Sequence, residues 1–226
     1  MNKKPIAFLV SAALALGVVA CGDDEETSSG SSSGSGSSSS QSDVKPVAQI
    51  EGLTGVSTSV ALDPGFVKAL QSLKVTPGPV GDAKITSAGD AVFPITGGDV
   101  QYYKPGTHSP YVTGLIEHDG SGLSLEAGGK RVELTNFDVD PGKSLLTGDV
   151  NVDGKSVAEG AELFFLDGRT LKPLQADEKA GTATLTGTTV KLKESAAELL
   201  NKTFKIDALK GDLVIGVATI TVNTGA

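Results

Sequence analysis

The chain has 226 residues, a formal net charge of −8, one cysteine, no tryptophan and 4% aromatic residues. So acidic a chain repels phosphate backbones, which argues against nucleic acid as a partner, and a single cysteine excludes an internal disulfide and a thiolate metal cluster. With so few aromatic rings there is no sign of a large aromatic-lined ligand cleft.

Met1-Asn2-Lys3-Lys4 is a short cationic start, and Ile6–Ala20 is an apolar run broken only by Ser11 and Gly17. This order, closed by small residues ahead of Cys21, predicts a secretory signal peptide over residues 1–20. The run is short of the ~20 apolar residues that a membrane-spanning helix needs. Val18-Val19-Ala20-Cys21 resembles the lipobox of bacterial lipoproteins, written Leu-Ala/Ser-Gly/Ala-Cys, with Val18 in place of Leu. The resemblance implies that Cys21 becomes the first mature residue and carries palmitate-type acyl chains. Two or three such chains hold a protein to a bilayer far better than one. The expected localisation is therefore extracytoplasmic, with the membrane as partner through lipidated Cys21. Loss of Lys3 and Lys4 with the signal lowers the net charge from −8 to −10.

Asp23-Asp24-Glu25-Glu26 opens the next stretch, and from Thr27 to Ser42 every residue except Thr27 and Gln41 is Ser or Gly. Such a segment buries nothing apolar and is expected to be a disordered tether over residues 21–43. Its root-mean-square span is roughly 25 Å at ~5–6 Å × √n. Residues 44–226 are left as a single mainly-β head, large enough for a real core.

In that head, Val56, Thr58, Val60 and Leu62 alternate along a predicted strand, Ser57–Leu62, that ends at Asp63-Pro64. Asp at the N-cap with Pro at the first helical position starts a helix, and Phe66, Leu70 and Leu73 continue it at helical spacing over Pro64–Leu73. Short strands follow at Ala83–Thr86, Ala91–Thr96 and Val100–Tyr103, with Gly97-Gly98 expected to join the last two as a hairpin turn. Tyr111–Glu117 and Gly122–Leu125 flank His118-Asp119-Gly120-Ser121, which is expected to be a loop. Lys130–Phe137 and Leu145–Val152 come next, the latter turning at Asp153-Gly154. Leu163–Leu166, Thr170–Leu174, Thr182–Thr186 and Thr188–Leu192 keep the spacing of a β-sandwich or barrel. A second helix is predicted from Glu194 to about Thr203, and Val214–Val222 is the closing strand. The predicted architecture is an antiparallel β-sandwich, or a barrel-like variant of it, with two short helices. Val60-x-Leu62, Leu70 and Leu73-Lys74-Val75 are echoed by Val190-x-Leu192, Leu200 and Phe204-Lys205-Ile206, which suggests a repeated strand–helix corner.

Asp149-x-Asn151-x-Asp153-Gly154 opens like a calcium loop, but Gly160 stands where the bidentate Glu belongs, so the hairpin reading is preferred and no metal site is expected. No nucleophile elbow, His-Glu-x-x-His motif or phosphate-cradling loop occurs, so no catalytic residue is nominated and a hydrolase is the least favoured reading. Tyr102, Tyr103, His108, Tyr111 and His118 fall close together, and they are all the tyrosines and histidines of the chain. A phenolate on ferric iron with a histidine hydrogen-bonded to the phenol oxygen is workable haem ligation, while sheet packing explains the same cluster.

Gly114-x-Ile116-x-His118-Asp119-Gly120-x-Gly122-Leu123, followed by Val132-x-Leu134 and by Leu145, Asp149 and Val150, resembles the central block of the haem-transport HtaA-type domain of secreted surface proteins. The likeness is best over residues 112–150 and looser over 91–226. It implies an antiparallel β-sandwich with short helices, and it places His118 at that family's haem-pocket histidine. The family's axial tyrosine lies early in the domain beside Trp-Gly; here Leu62-Asp63-Pro64 stands there, so Tyr102, Tyr103 or Tyr111 would have to substitute. The opening half of the head also resembles secreted bacterial β-domains of unassigned function. The leading expectation is a non-catalytic binding or adhesion module for a surface ligand or cell-envelope partner, with no cofactor. The alternative is haem capture through His118 and a nearby tyrosine.

Overall fold

The computed structural model describes residues Val44–Thr224; the predicted signal peptide, Cys21 and the tether lie outside them. Strands β1 (Ala48–Glu51) and β2 (Gly55–Leu62) precede helix α1 (Pro64–Ser72). Strands β3 (Thr76–Gly81), β4 (Lys84–Ile85), β5 (Ala91–Phe93), β6 (Gly97–Tyr102), β7 (Val112–Ala127), β8 (Lys130–Asp140), β9 (Leu145–Val152), β10 (Lys155–Asp167), β11 (Gln175–Asp177) and β12 (Thr182–Leu192) follow. Helix α2 (Glu194–Phe204) and strand β13 (Val214–Asn223) complete the order.

All strands belong to one sheet, ordered β1-β6-β7-β8-β9-β10-β12-β13-β2-β5-β4, with β3 added to β7 and β11 to β12. Every pairing is antiparallel. The architecture is thus the barrel-like form of the expected fold: a single curled sheet, open along one side, rather than two separate facing sheets. Five strands separate β7 from β2 in that order. At ~4.8 Å per strand a flat sheet would hold them roughly 29 Å apart, yet His118 on β7 and Thr58 on β2 are within hydrogen-bond distance. The curl is what brings the two arms together.

Both helices form where Asp63-Pro64 and the Ala197/Leu200 spacing predict them. The Asp63 carboxylate accepts from the backbone N–H groups of Gly65 and Phe66 at 2.7 and 3.1 Å, satisfying two of the orphan donors of the first turn. Phe66 and Leu70 of α1, and Ala196, Ala197 and Leu200 of α2, face the core. The repeated corner has a structural counterpart. Lys74 and Lys205 both take the left-handed conformation, with φ of 56° and 57°. Val75 N–H returns to Leu70 O and Ile206 N–H to Asn201 O, at 2.9 and 3.0 Å. This is the six-to-one bond of a Schellman-type stop. The strands that lead into these helices, β2 and β12, lie on either side of β13.

Asp153 and Gly154 form the β9–β10 turn with φ of 51° and 76°, as a two-residue hairpin requires. The Asp153 carboxylate is taken by Lys130 Nζ and Arg131 N–H. Four local expectations are corrected. Gly97 and Gly98 do not turn from β5 into β6; they lie inside β6, opposite Glu117 and Ile116 of β7, while β5 pairs with β2 and β4. His118–Ser121 is not a loop but a bulge within the 16-residue strand β7. Thr182–Thr186 and Thr188–Leu192 are one strand bulged at Gly187. Thr170–Leu174 is not a strand; a 3₁₀ turn at Gly168–Thr170 leads into extended chain.

Candidate functional site

The concave face of the sheet is lined by alternate residues of each strand, because successive side chains point to opposite faces. Thr58, Val60 and Leu62 come from β2, Ala218, Ile220 and Val222 from β13, and Ala183 and Leu185 from β12. The bulge at Gly187 resets the count, so that Thr188 and Val190 continue the same wall. Ile116 and His118 of β7, Phe137 and Val139 of β8, Leu146 of β9 and Phe164 of β10 close it. Together they enclose a cavity of about 1080 Å³, at the upper end of the ~300–1,000 Å³ typical of small-molecule sites. Its walls are mostly aliphatic, which is why a low aromatic content did not announce it.

His118 is 1% exposed. The β7–β8 register runs His118↔Phe137 and then jumps to Gly122↔Thr135, so the intervening residues bulge outward and the imidazole is left facing in. Ser121 Oγ donates to His118 O, and Asn136 Oδ1 accepts from Gly120 N–H, pinning the bulge at 3.1 and 3.0 Å. His118 Nδ1 lies 2.9 Å from Phe137 O. A carbonyl only accepts, so Nδ1 carries the proton. Nε2 therefore accepts from the Thr58 hydroxyl, 2.8 Å away. Burial pushes the imidazole pKa down, opposed in part by the Phe137 carbonyl and the nearby Asp119. The ring is held neutral, with its one lone pair turned on Thr58.

A hydroxyl on Nε2 is also the first contact of a hydrolytic triad. Here a backbone carbonyl replaces the carboxylate that would stabilise an imidazolium, and burial favours the neutral ring. The pair is built to hold position rather than to pass protons.

The sequence cluster of tyrosines and histidines is split into three. Tyr102 and Tyr111 line the cavity in edge-to-face contact with centroids 5.9 Å apart. Burial and the neighbouring Tyr102 raise the Tyr111 pKa. Tyr103 stacks on His108 at 4.1 Å instead, and its hydroxyl donates to Gln101 Oε1 at 2.8 Å. His108 is half-buried, and its Nδ1 lies 2.6 Å from Pro110 O. Tyr102 is registered against Val112, well before His118 on the same strand. At ~3.3 Å per residue the backbone of β7 rises roughly 20 Å between Val112 and His118, and neither phenol is hydrogen-bonded to the imidazole, whose partners are Thr58 and Phe137. None of the candidate tyrosines is brought to His118; Thr58 is.

At one edge Asp167 accepts from Arg169 Nε and Nη2 at 2.8 and 2.6 Å and from Lys191 Nζ at 2.9 Å. These bonds, the Arg169 ones foremost, hold its carboxyl well below the usual carboxylate range. Asp212 also reaches the lining, which thus carries two formal positive and two formal negative charges. Sequence reasoning missed Thr58 as a site residue, although its place in the Thr58-Val60-Leu62 alternation marks it as inward-facing. Among the described residues no group of three or more His, Cys, Asp or Glu side chains is placed to hold a metal ion.

The chain is a curled antiparallel β-domain whose concave face is apolar. No protein-family model and no curated protein matches the chain. Among solved structures it is similar to the C-terminal domain of HtaA from Corynebacterium glutamicum, at 16% identity over 76% of this chain and 98% of that domain, with a TM-score of 0.52. It is also similar, more distantly, to the heme-binding protein HtaB from Corynebacterium glutamicum, at 14% identity over 77% of this chain and 95% of that one, with a TM-score of 0.45. At these identities the likeness to the HtaA domain is one of fold.

Proposed function

We propose that the head is a non-catalytic binding module whose concave groove takes a large, flat, mostly apolar ligand of porphyrin size, with haem as the first candidate. The observation that carries this reading is the aliphatic cavity of about 1080 Å³ within a single curled sheet. The fold likeness to the HtaA domain and the sequence block Gly114–Leu123, with its resemblance to haem-transport domains, support haem over other apolar ligands. The apolar walls suit the body of a porphyrin. The residues do not suit its iron: His118 has no free lone pair, and no phenol stands near it. No role is therefore assigned to coordination by His118.

The test is a titration of the chain from Gln41 onward with haemin, followed by calorimetry and by gel filtration at the haem absorbance. Saturable one-to-one binding with co-elution is expected. Haemin that elutes apart from the protein and gives no saturable heat would remove the reading.

The same proposal has the protein exported and anchored through acylated Cys21, with residues 21–43 as the tether. No helix among the described residues is long and apolar enough to cross a membrane. The full chain expressed in bacteria should enter the detergent phase of a Triton X-114 partition, and Cys21→Ser should move it to the aqueous phase. A wild-type chain that stays aqueous would remove the anchor.

A further inference from the structure

We infer that the groove recognises the macrocycle and is indifferent to the metal, so that an iron-free porphyrin is bound as well as haem. The inference rests on the binding reading above and concerns what holds the ligand once it is there.

Iron capture needs a lone pair that faces the cavity and has no other commitment. The imidazole of His118 is anchored at both ends. Its Nδ1–H is given to Phe137 O at 2.9 Å, and its Nε2 accepts the Thr58 hydroxyl at 2.8 Å. An iron atom on Nε2 would occupy the space that this hydroxyl fills. Thr58 is itself buried, at 6% exposure, on a strand paired on both sides, so it has little room to turn away.

The phenols are no better placed. A phenolate is a stronger iron ligand than a phenol, and it forms where a base or cation stabilises it. Tyr102 and Tyr111 have each other as neighbours, ring edge to ring face, and both ring nitrogens of His118 are engaged by Thr58 and Phe137, so no free base stands by for either phenol. The two cations of the lining, Arg169 and Lys191, are both engaged by Asp167. Burial further keeps the proton on Tyr111.

What remains is apolar surface. Val60, Leu62, Leu146, Phe164, Leu185 and Ile220 come from five different strands and face one space. Burying a planar ring against them removes the same apolar area from water with or without a metal at the ring's centre. The formal charges of the lining cancel, so propionate groups are neither required nor strongly opposed.

The experiment compares haemin with protoporphyrin IX, which shares its ring and propionates and lacks iron, by calorimetric titration of the chain from Gln41 onward. The expected result is two dissociation constants within threefold. Tyr102→Phe and Tyr111→Phe, which keep the rings and remove only the hydroxyls, should change haemin affinity by less than threefold. Haemin bound tenfold or more tightly than protoporphyrin IX overturns the inference while leaving the groove a haem site. A tenfold loss of haemin binding alone in either phenylalanine variant does the same. If neither porphyrin binds, the groove is not a porphyrin site, and both readings fall.

Discussion

Thr58 and His118, far apart in sequence, meet through a 2.8 Å hydrogen bond that joins the two arms of one curled sheet. The imidazole is held from its other side by the carbonyl of its own cross-strand partner, Phe137. One buried ring thus ties β2 to β7 and β8 across the concave face. This polar contact sits among Ile116, Phe137 and Phe93, where water does not compete for it.

Thr58→Val keeps the shape of the side chain and removes the hydroxyl, leaving Nε2 as a buried acceptor without a partner. A loss of about 1–3 kcal/mol in unfolding free energy is expected. Thr58→Ser restores the donor and should recover at least half of that loss. Urea melts of the three proteins check this; equal stability of the valine and wild-type forms would show that the bond contributes nothing.

The neutral state of His118 carries a pH signature. Its folded pKa lies below the ordinary value of 6.5, so the unfolded chain binds the extra proton first. Stability from this group is complete above the unfolded pKa and declines as pH falls below about 6.5, by up to about 1.4 kcal/mol per pH unit until the folded pKa is reached. Denaturant melts at pH 8.0, 6.5 and 5.5 should show a plateau and then a fall. Rising or level stability between 6.5 and 5.5 contradicts the assignment.

Gly114 has φ of +116°, and a Cβ there would run into the backbone oxygen of Asp99 on β6. Gly114→Ala must therefore open the β6–β7 ladder beside Tyr102 and Tyr111, with an expected cost above about 2 kcal/mol. Thermal melting reads it directly, and an unchanged Tm would mean that the two strands are not held this close.

Ala218 of β13, buried in the core, also lines the cavity, and Ala218→Phe adds a ring to that wall. Overpacking a core position costs ~1–3 kcal/mol, a fall of roughly 2–12 °C in melting temperature for a domain of this size, so binding is read well below the variant's own Tm. Haemin affinity should fall tenfold or more. A variant that binds haemin like the wild type would place the ligand elsewhere.

Asp167→Asn releases Arg169 and Lys191 from their shared carboxylate. Two uncommitted cations at the cavity edge should tighten binding of a dianionic porphyrin by threefold or more at low salt, with the gain fading at high ionic strength. Calorimetry at two salt concentrations tests this, and weaker binding at low salt contradicts the placement.

Where local chemistry decides the structure, the sequence can be read in advance. Asp63-Pro64 starts a helix, Asp153-Gly154 turns a hairpin, and the paired Lys74 and Lys205 corners are visible as a faint repeat. Where a contact between distant strands decides, local signals mislead. His118-Asp119-Gly120-Ser121 has the composition of a loop, and it is a bulge because β8 continues the ladder on both sides of it. Gly97-Gly98 has the composition of a turn, and it is strand because β7 lies beside it and leaves little room for side chains. The site suffers most from this. Composition groups His118 with the tyrosines that precede it, whereas its actual partner, Thr58, arrives from far upstream by a curl that no local pattern encodes.

The place of β13 between β12 and β2 bears on how the molecule is assembled. A polypeptide made from its amino end presents Gly55–Leu62 early and Thr182–Leu192 late, and these two segments have no common neighbour in the sheet until Val214–Asn223 arrives. Until then β2, β5 and β4 have no ladder to the rest of the sheet, β2 and β12 each keep a raw edge, and the groove has only part of its wall. The ladder is continuous only once the last strand is in place. A nascent chain held unfinished would be open to edge-to-edge association with its neighbours.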